Sequence, residues 1–194
     1  MQEAVPPGCG SMAAIIGLSL EEVESLCEEA AQGETCSPAN INSPNQVVIA
    51  GDVGAVARAI ELSRARGAKR ALALKVSAPF HSSLMMPAQR RLKEDLDQLV
   101  FEDLQRPIVT NVDAQILLGS GDRARESLVR QVSAPVRWLE SIELLIRQGV
   151  DTFIEVGPGR VLSGLMRQIS REVKCFNVED STSLRQTLAN LEVS

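Results

Sequence analysis

The sequence predicts an α/β protein made of two parts, and two observations carry that prediction. Residues 11–76 hold four short strand-like runs and two amphipathic helical stretches in the order β-α-β-β-α-β, while residues 77–194 change rhythm to a long helix and then strands alternating with helices. The composition permits such a fold. A chain of 194 residues, 44% hydrophobic and 23% charged, can bury roughly 70% of its unfolded surface without a disulfide or metal staple.

The elements follow in order. Residues 1–10 carry two prolines and two glycines without periodicity and read as an irregular entry segment. Met12–Leu18 is an apolar run of strand length. Ser19 with Glu22 is the capping-box spacing, and the helix it opens puts Val23, Leu26, Cys27 and Ala30 on one face before Gly33. Thr35–Ile41 is a weaker strand, Asn42–Asn45 a turn cluster, and Gln46–Ala50 a clear strand ended by Gly51. Asp52 stands as the N-cap of a second helix with Val53, Val56 and Ile60 at helical spacing, closed by Gly67. Arg70–Val76 alternates as a fourth strand. This is the split-βαβ, ferredoxin-like order. It predicts a four-stranded antiparallel sheet over residues 11–76 with both helices on one face.

In the second part, Ser82 or Ser83 caps a long helix with Leu84, Ala88, Leu92, Leu96 and Leu99 on one stripe. Pro107–Thr110 is a short strand, and 122–132 and 138–148 are helical. Asp151–Val156 is a strand that leads through Gly157-Pro-Gly159 into a helix bearing Val161, Leu162, Leu165, Met166 and Ile169. A strand near Cys175–Val178 and a helix from Ser181 close the chain. Strands alternating with helices predict a parallel layer.

Composition also excludes functions. A net charge of −5 argues against nucleic acid, whose phosphates want a basic face. No apolar run reaches 18 residues, so no membrane span is expected. The first ten residues lack the basic and apolar regions of a signal peptide, which points to the cytoplasm. Cys9, Cys27, Cys36 and Cys175 form no C-x-x-C pair and only one histidine accompanies them. No metal site is expected, and the cysteines read as small buried apolar residues.

Few residues offer chemistry. His81, in Ser77-Ala-Pro-Phe-His-Ser-Ser83, follows a strand and precedes a helix, where α/β sheets collect ligands and catalytic groups. It can be a general base, or a loop histidine beside a helix start. The turn Glu155–Arg160 can offer N–H groups to an anion, or simply join strand to helix. Asn40 and Asn42 can hold a ligand through their amides, or form turns. The basic groups Arg58, Arg64, Arg66, Lys69 and Arg70, and Arg90, Arg91 and Lys93, can steer an acidic partner or be solvated faces. No G-x-S-x-G nucleophile elbow occurs.

Four segments together carry a resemblance. Ser37–Gly51, Ser77-Ala-Pro-Phe-His-Ser-Ser-Leu-Met85, Gln131-Val-Ser-Ala-Pro-Val-Arg-Trp138 and Glu155-Val-Gly-Pro-Gly-Arg-Val-Leu162 resemble the bacterial malonyl-CoA:acyl carrier protein transacylase family, in order and over nearly the whole chain. The resemblance implies a ferredoxin-like small subdomain, residues 11–76, inserted in an α/β-hydrolase-like large subdomain whose C-terminal part is residues 77–194. It implies a ping-pong reaction in which a serine of G-H-S-x-G carries malonyl from CoA to the phosphopantetheine thiol of acyl carrier protein. His81 matches the catalytic histidine, and Gln131 the residue whose backbone carbonyl orients it. Asn40 and Asn42 match asparagines near the thioester entrance, and Phe80 an acyl-selecting position. The CoA thioester is a substrate, so no cofactor is implied. The family's serine elbow, oxyanion loop and malonate-binding arginine match nothing here. The expectation is therefore a C-terminal fragment, inactive alone, with exposed apolar surface where further strands belong. The rival readings are a non-catalytic module that binds carrier protein or acyl-CoA, and a stand-alone regulatory domain.

Overall fold

The computed structural model describes residues 4–192. Residues 1–3 of the expected entry segment lie outside the described residues. The chain falls into two compact units, Met1–Ser141 and Ile142–Ser194. The boundary expected after residue 76 lies inside the first.

The first unit opens with β1 (Gly10–Ile16), α1 (Leu20–Ala31), β2 (Cys36–Ser43), β3 (Gln46–Asp52), α2 (Val53–Ala65) and β4 (Arg70–Ala73). The strands form one sheet in the order β2-β3-β1-β4, every pair antiparallel. The capping box is present. Glu22 N–H donates to Ser19 Oγ at 3.3 Å, and Ser19 N–H to Glu22 Oε2 at 2.7 Å.

Both helices lie on one sheet face. Val23, Leu26, Cys27 and Ala30 of α1 and Val56 and Ala59 of α2 bury against Ala13, Ile15, Val47, Ile49 and Ala71. Successive strand residues point to opposite faces, so Met12, Ala14, Val48 and Ala50 cover the other side, where Ala39 and Phe80 pack on them. The α2 stripe differs from the expected one: Val53 is half exposed, and Ala59 takes the inward place.

Asp52 holds the N-cap position of α2, but its side chain makes no cap bond there. Its carboxylate instead accepts the N–H of Thr35 at 2.7 Å, tying the start of β2 to the end of β3. The chains meet so closely there that a Cβ on Gly51 would lie 1.9 Å from Thr35 O. The first basic cluster is partly consumed inside the fold. Arg58 donates to the carbonyls of Ala30 and Ala31 at the end of α1 and to Glu34, and Arg66 pairs with Glu29. These contacts satisfy orphan helix-end carbonyls rather than reach for a partner. Cys9 is exposed and Cys36 and Cys175 are half-buried, so only Cys27 is the buried apolar residue expected.

After a 3₁₀ turn at Ser83–Met85 comes α3 (Met86–Leu96), shorter than expected, with Leu99 left exposed. β5 (Leu104–Thr110) and β6 (Gln115–Gly119) pair as an antiparallel hairpin. The sequence reading missed β6, and its uniform parallel layer does not hold here. α4 (Gly121–Gln131) follows, and α5 (Trp138–Arg147) runs across the unit boundary.

In the second unit, β7 (Thr152–Val156) and β8 (Lys174–Val178) pair in parallel, with α6 (Val161–Ile169) between them and α7 (Ser181–Glu192) after. Ile154 and Val156 alternate onto an exposed face, at 44% and 79% exposure. Among the described residues, no helix is long and apolar enough to cross a membrane.

Candidate active site

The site grows from the turn after β4. Pro79 is buried against Gly10 of β1, so close that a Cβ there would sit 2.4 Å from the proline Cδ. Ser82 donates its hydroxyl to Pro79 O at 2.7 Å, Phe80 N–H bonds Ala78 O at 3.0 Å, and Met85 N–H bonds Ser82 O at 2.9 Å. Ala78 and Met85 are buried with Val5 and Val132. Held from both sides, His81 adopts a left-handed backbone with φ 60°. That conformation is uncommon for a side-chain-bearing residue and costs of order 1 kcal/mol.

The partner comes from the end of α4. Ser120 opens the helix by accepting the N–H of Arg123. At its other end Val132 N–H bonds Val129 O and Ser133 N–H bonds Arg130 O. The last carbonyls of a helix have no intrahelical donor. Gln131 O is such an acceptor, and His81 Nδ1 lies 2.9 Å from it. The carbonyl fixes the proton on Nδ1, because a carbonyl can only accept. In the neutral ring Nε2 then carries the lone pair. The Gln131 side-chain Nε2 also lies 3.4 Å from Nδ1, but its better partner is Ala134 O at 3.3 Å, and Gln131 Oε1 is buried without a partner among the described residues.

Asn40 and Asn42 sit on β2, both half-buried. Beyond α4 the chain returns to this strand. Ile41 N–H bonds Val136 O and Val136 N–H bonds Ala39 O, each at 2.8 Å, a parallel bridge centred on Asn40 and Val136. Five residues after Gln131, the same segment thus meets the strand that carries both asparagines. Phe80, next to His81, packs on the sheet face formed by Met12, Ala14, Ala39, Val48 and Ala50. His81, Gln131 and Phe80 are therefore brought together, with Asn40 and Asn42 on the adjoining sheet edge.

Two contributors, Asp113 and Arg130, were invisible in the sequence. Asp113 and Arg130 form a two-pronged ion pair at 2.7 Å in each arm, and Arg137 pairs with Glu140 while donating to Asp113 O. The Arg130 fork holds the Asp113 carboxyl below the usual carboxylate range. Partners 17 residues apart follow no helical or strand period, so only the folded chain reveals them. Beside Gln131, an apolar groove of about 330 Å³ runs between β5 and α4, lined by Phe101, Leu104, Ile108 and Leu128 among others.

The glycine turn is no anion site. Glu155 already occupies the N-terminus of α6, accepting the N–H groups of Leu162 at 3.0 Å and Ser163 at 2.8 Å. Among the described residues, no group of three His, Cys, Asp or Glu gathers as a metal would require.

The structure thus places a histidine, hydrogen-bonded to a helix-end carbonyl, on an α/β scaffold. The chain belongs to the acyl transferase domain family, which matches residues 1–187. Malonyl CoA-acyl carrier protein transacylase of Bacillus subtilis is 43% identical over 193 residues, covering 99% of this chain and 61% of that protein. The Escherichia coli K12 enzyme of the same name is 51% identical over 169 residues, 87% of this chain and 54% of that one. A malonyl-transacylase solved with its type II PKS acyl-carrier protein superposes with a TM-score of 0.94 at 48% identity, over 97% of this chain and 61% of that one. The Coxiella burnetii transacylase gives 0.95 at 39% identity, over 98% and 60%. The chain thus spans about 54–61% of the length of these relatives.

Proposed function

We propose that these 194 residues supply the general base and part of the thioester channel of a malonyl-CoA:acyl carrier protein S-malonyltransferase of bacterial fatty acid synthesis. In this reading residues 11–76 are the ferredoxin-like small subdomain, and residues 77–194 the C-terminal part of an α/β-hydrolase-like large subdomain. The observation that carries it is the 2.9 Å contact between His81 Nδ1 and Gln131 O, which leaves Nε2 free to take a proton. The nucleophilic serine comes from a further segment, since no G-x-S-x-G occurs here.

The chemistry is two acyl transfers. His81 Nε2 accepts the serine proton as Oγ attacks the malonyl thioester. The C–S bond breaks, the CoA sulfur takes the proton from the imidazolium, and malonyl remains as a serine ester. The carrier-protein thiol then gives its proton to Nε2 and attacks the ester. The serine oxygen leaves and recovers that proton. Asn40, Asn42 and Phe80 line the approach of the thioester. No cofactor enters, because CoA arrives with the substrate, and the reaction runs in the cytoplasm.

The test is complementation. The chain is combined with the N-terminal part of a relative, and malonyl transfer is followed with radiolabelled malonyl-CoA. Activity should appear only in the mixture, and His81→Ala should lower it by about 10²–10⁴-fold. A His81→Ala mixture that keeps more than about a tenth of the activity refutes the base. A chain that binds carrier protein but never gains activity on complementation is instead a binding module.

A further inference from the structure

We propose that the Asp113–Arg130 ion pair positions His81, by clamping the end of α4 and so fixing the Gln131 carbonyl to which the imidazole donates. The inference rests on the reading of His81 as the base. Neither residue touches the imidazole, so both act through Gln131 O.

The need for a clamp follows from where the acceptor lies. Gln131 is the final residue of α4, and final helical turns fray. A carbonyl on a fraying turn holds an imidazole poorly. Here the last turn is tied down from outside the helix. Arg130, one residue before Gln131, places Nη1 on Asp113 Oδ1 and Nη2 on Asp113 Oδ2, both at 2.7 Å. This fork-on-fork geometry restricts direction as well as distance. Ser127, one turn earlier, donates to Asp113 Oδ2 at 3.3 Å, and Thr110 at the end of β5 donates to the same oxygen at 3.2 Å. Arg137 Nη1 reaches Asp113 O at 3.3 Å. One carboxylate therefore gathers the end of β5 and the last turn of α4, and the backbone carbonyl of the same residue takes in the segment that leads to α5.

Exposure separates this role from simple stabilisation. The Arg130 and Asp113 side chains are 50% and 31% exposed, and ion pairs so placed add little to global stability. Their effect is local, on the helix end that carries the acceptor.

His81 is the only histidine of the chain, so its ring nitrogens can be followed by ¹⁵N NMR in the intact protein without assignment. The wild-type ring should be held as the Nδ1–H tautomer. Arg130→Gln should raise the Nε2–H tautomer by about fivefold, the factor that one ordinary hydrogen bond is worth. Arg130→Lys, which keeps the charge and loses the fork, should lie between, and serves alone if the glutamine variant fails to fold. A folded Arg130→Gln protein with the wild-type tautomer overturns the positioning role while leaving the base intact. A wild-type ring already mixed between tautomers overturns the base reading and with it this inference.

Discussion

A methyl group on Gly10 should unseat His81, although Gly10 lies on β1, 71 residues away in sequence. The alanine Cβ would stand 2.4 Å from Pro79 Cδ, 2.5 Å from Cγ and 3.1 Å from Cβ. Non-bonded carbons settle at about 3.5–4.0 Å, so the strand and the proline must part by about 1 Å. The proline ring cannot flex out of the way. β1 is paired on both sides, with β3 and with β4, so the turn is what moves. Pro79 is bonded through its carbonyl to Ser82, and His81 lies between these two. A shift of about 1 Å directed along the 2.9 Å contact to Gln131 O takes it to about 3.9 Å, beyond any hydrogen bond. Overpacking of this kind costs about 1–3 kcal/mol. At about 2 kcal/mol the transition of a domain this size falls by about 4–8 °C. Two measurements on one sample decide it: the ¹⁵N resonances of the His81 ring, and thermal unfolding by circular dichroism. The expected result is a changed tautomer together with a lowered Tm. Unchanged ring resonances in a folded Gly10→Ala protein would show that the strand–proline contact does not set the histidine.

Three further outcomes follow from the same geometry. Leu26 is fully buried between α1 and the sheet, so Leu26→Ala should cost about 3–5 kcal/mol in denaturant unfolding, and a loss below about 1 kcal/mol would mean the core collapses around the gap. At φ 60° a Cβ is strained, so His81→Gly should be about 1 kcal/mol more stable than His81→Ala by urea denaturation; an alanine variant at least as stable speaks against a left-handed turn. Asp113 has its folded pKa lowered by Arg130, so its contribution is present above the unfolded carboxylate range, near pH 4, and is lost as pH falls through the folded value. The stability gap between wild type and Asp113→Asn, small for so exposed a pair, should accordingly shrink on acidification from pH 7 to pH 3, and a gap that widens contradicts the ion pair.

How much of this was legible beforehand depends on the range of the interaction. The Ser19/Glu22 capping box, the α1 stripe and the β-α-β-β-α-β order are local patterns with a fixed period, and the sequence states them directly. Asp52 misled because a carboxylate before a helix is a good cap in isolation, whereas the sheet offered it the Thr35 N–H first. β6 was missed because the pairing of Gln115–Gly119 with β5 is visible only once the hairpin closes. At the site, the position of His81 between strand and helix was legible, and the weight given to it came from resemblance rather than from any partner nearby in sequence. Its acceptor is a backbone atom, and every residue type carries one. No pattern of side chains distinguishes Gln131 from its neighbours in that respect; the helix end does.

That choice of acceptor has a consequence for mutation. A carboxylate in this place would carry full charge and vanish with its side chain. A carbonyl is neutral, and its pull on the imidazolium is supplemented only by the partial negative charge at the end of α4. It survives any side-chain replacement that leaves the helix end in place. Gln131→Ala should therefore keep the Nδ1–H tautomer of His81. It removes one weak bond to Ala134 O at 3.3 Å and one buried oxygen that has no partner. Losing an unpaired buried oxygen is favourable, which offsets the lost bond, so stability should change by less than about 1 kcal/mol. In the complemented enzyme the same variant should lose far less activity than His81→Ala. If Gln131→Ala instead shifts the tautomer as strongly as Arg130→Gln with the fold intact, the side chain, through its bond to Ala134 O, is needed to hold the helix end that presents the carbonyl.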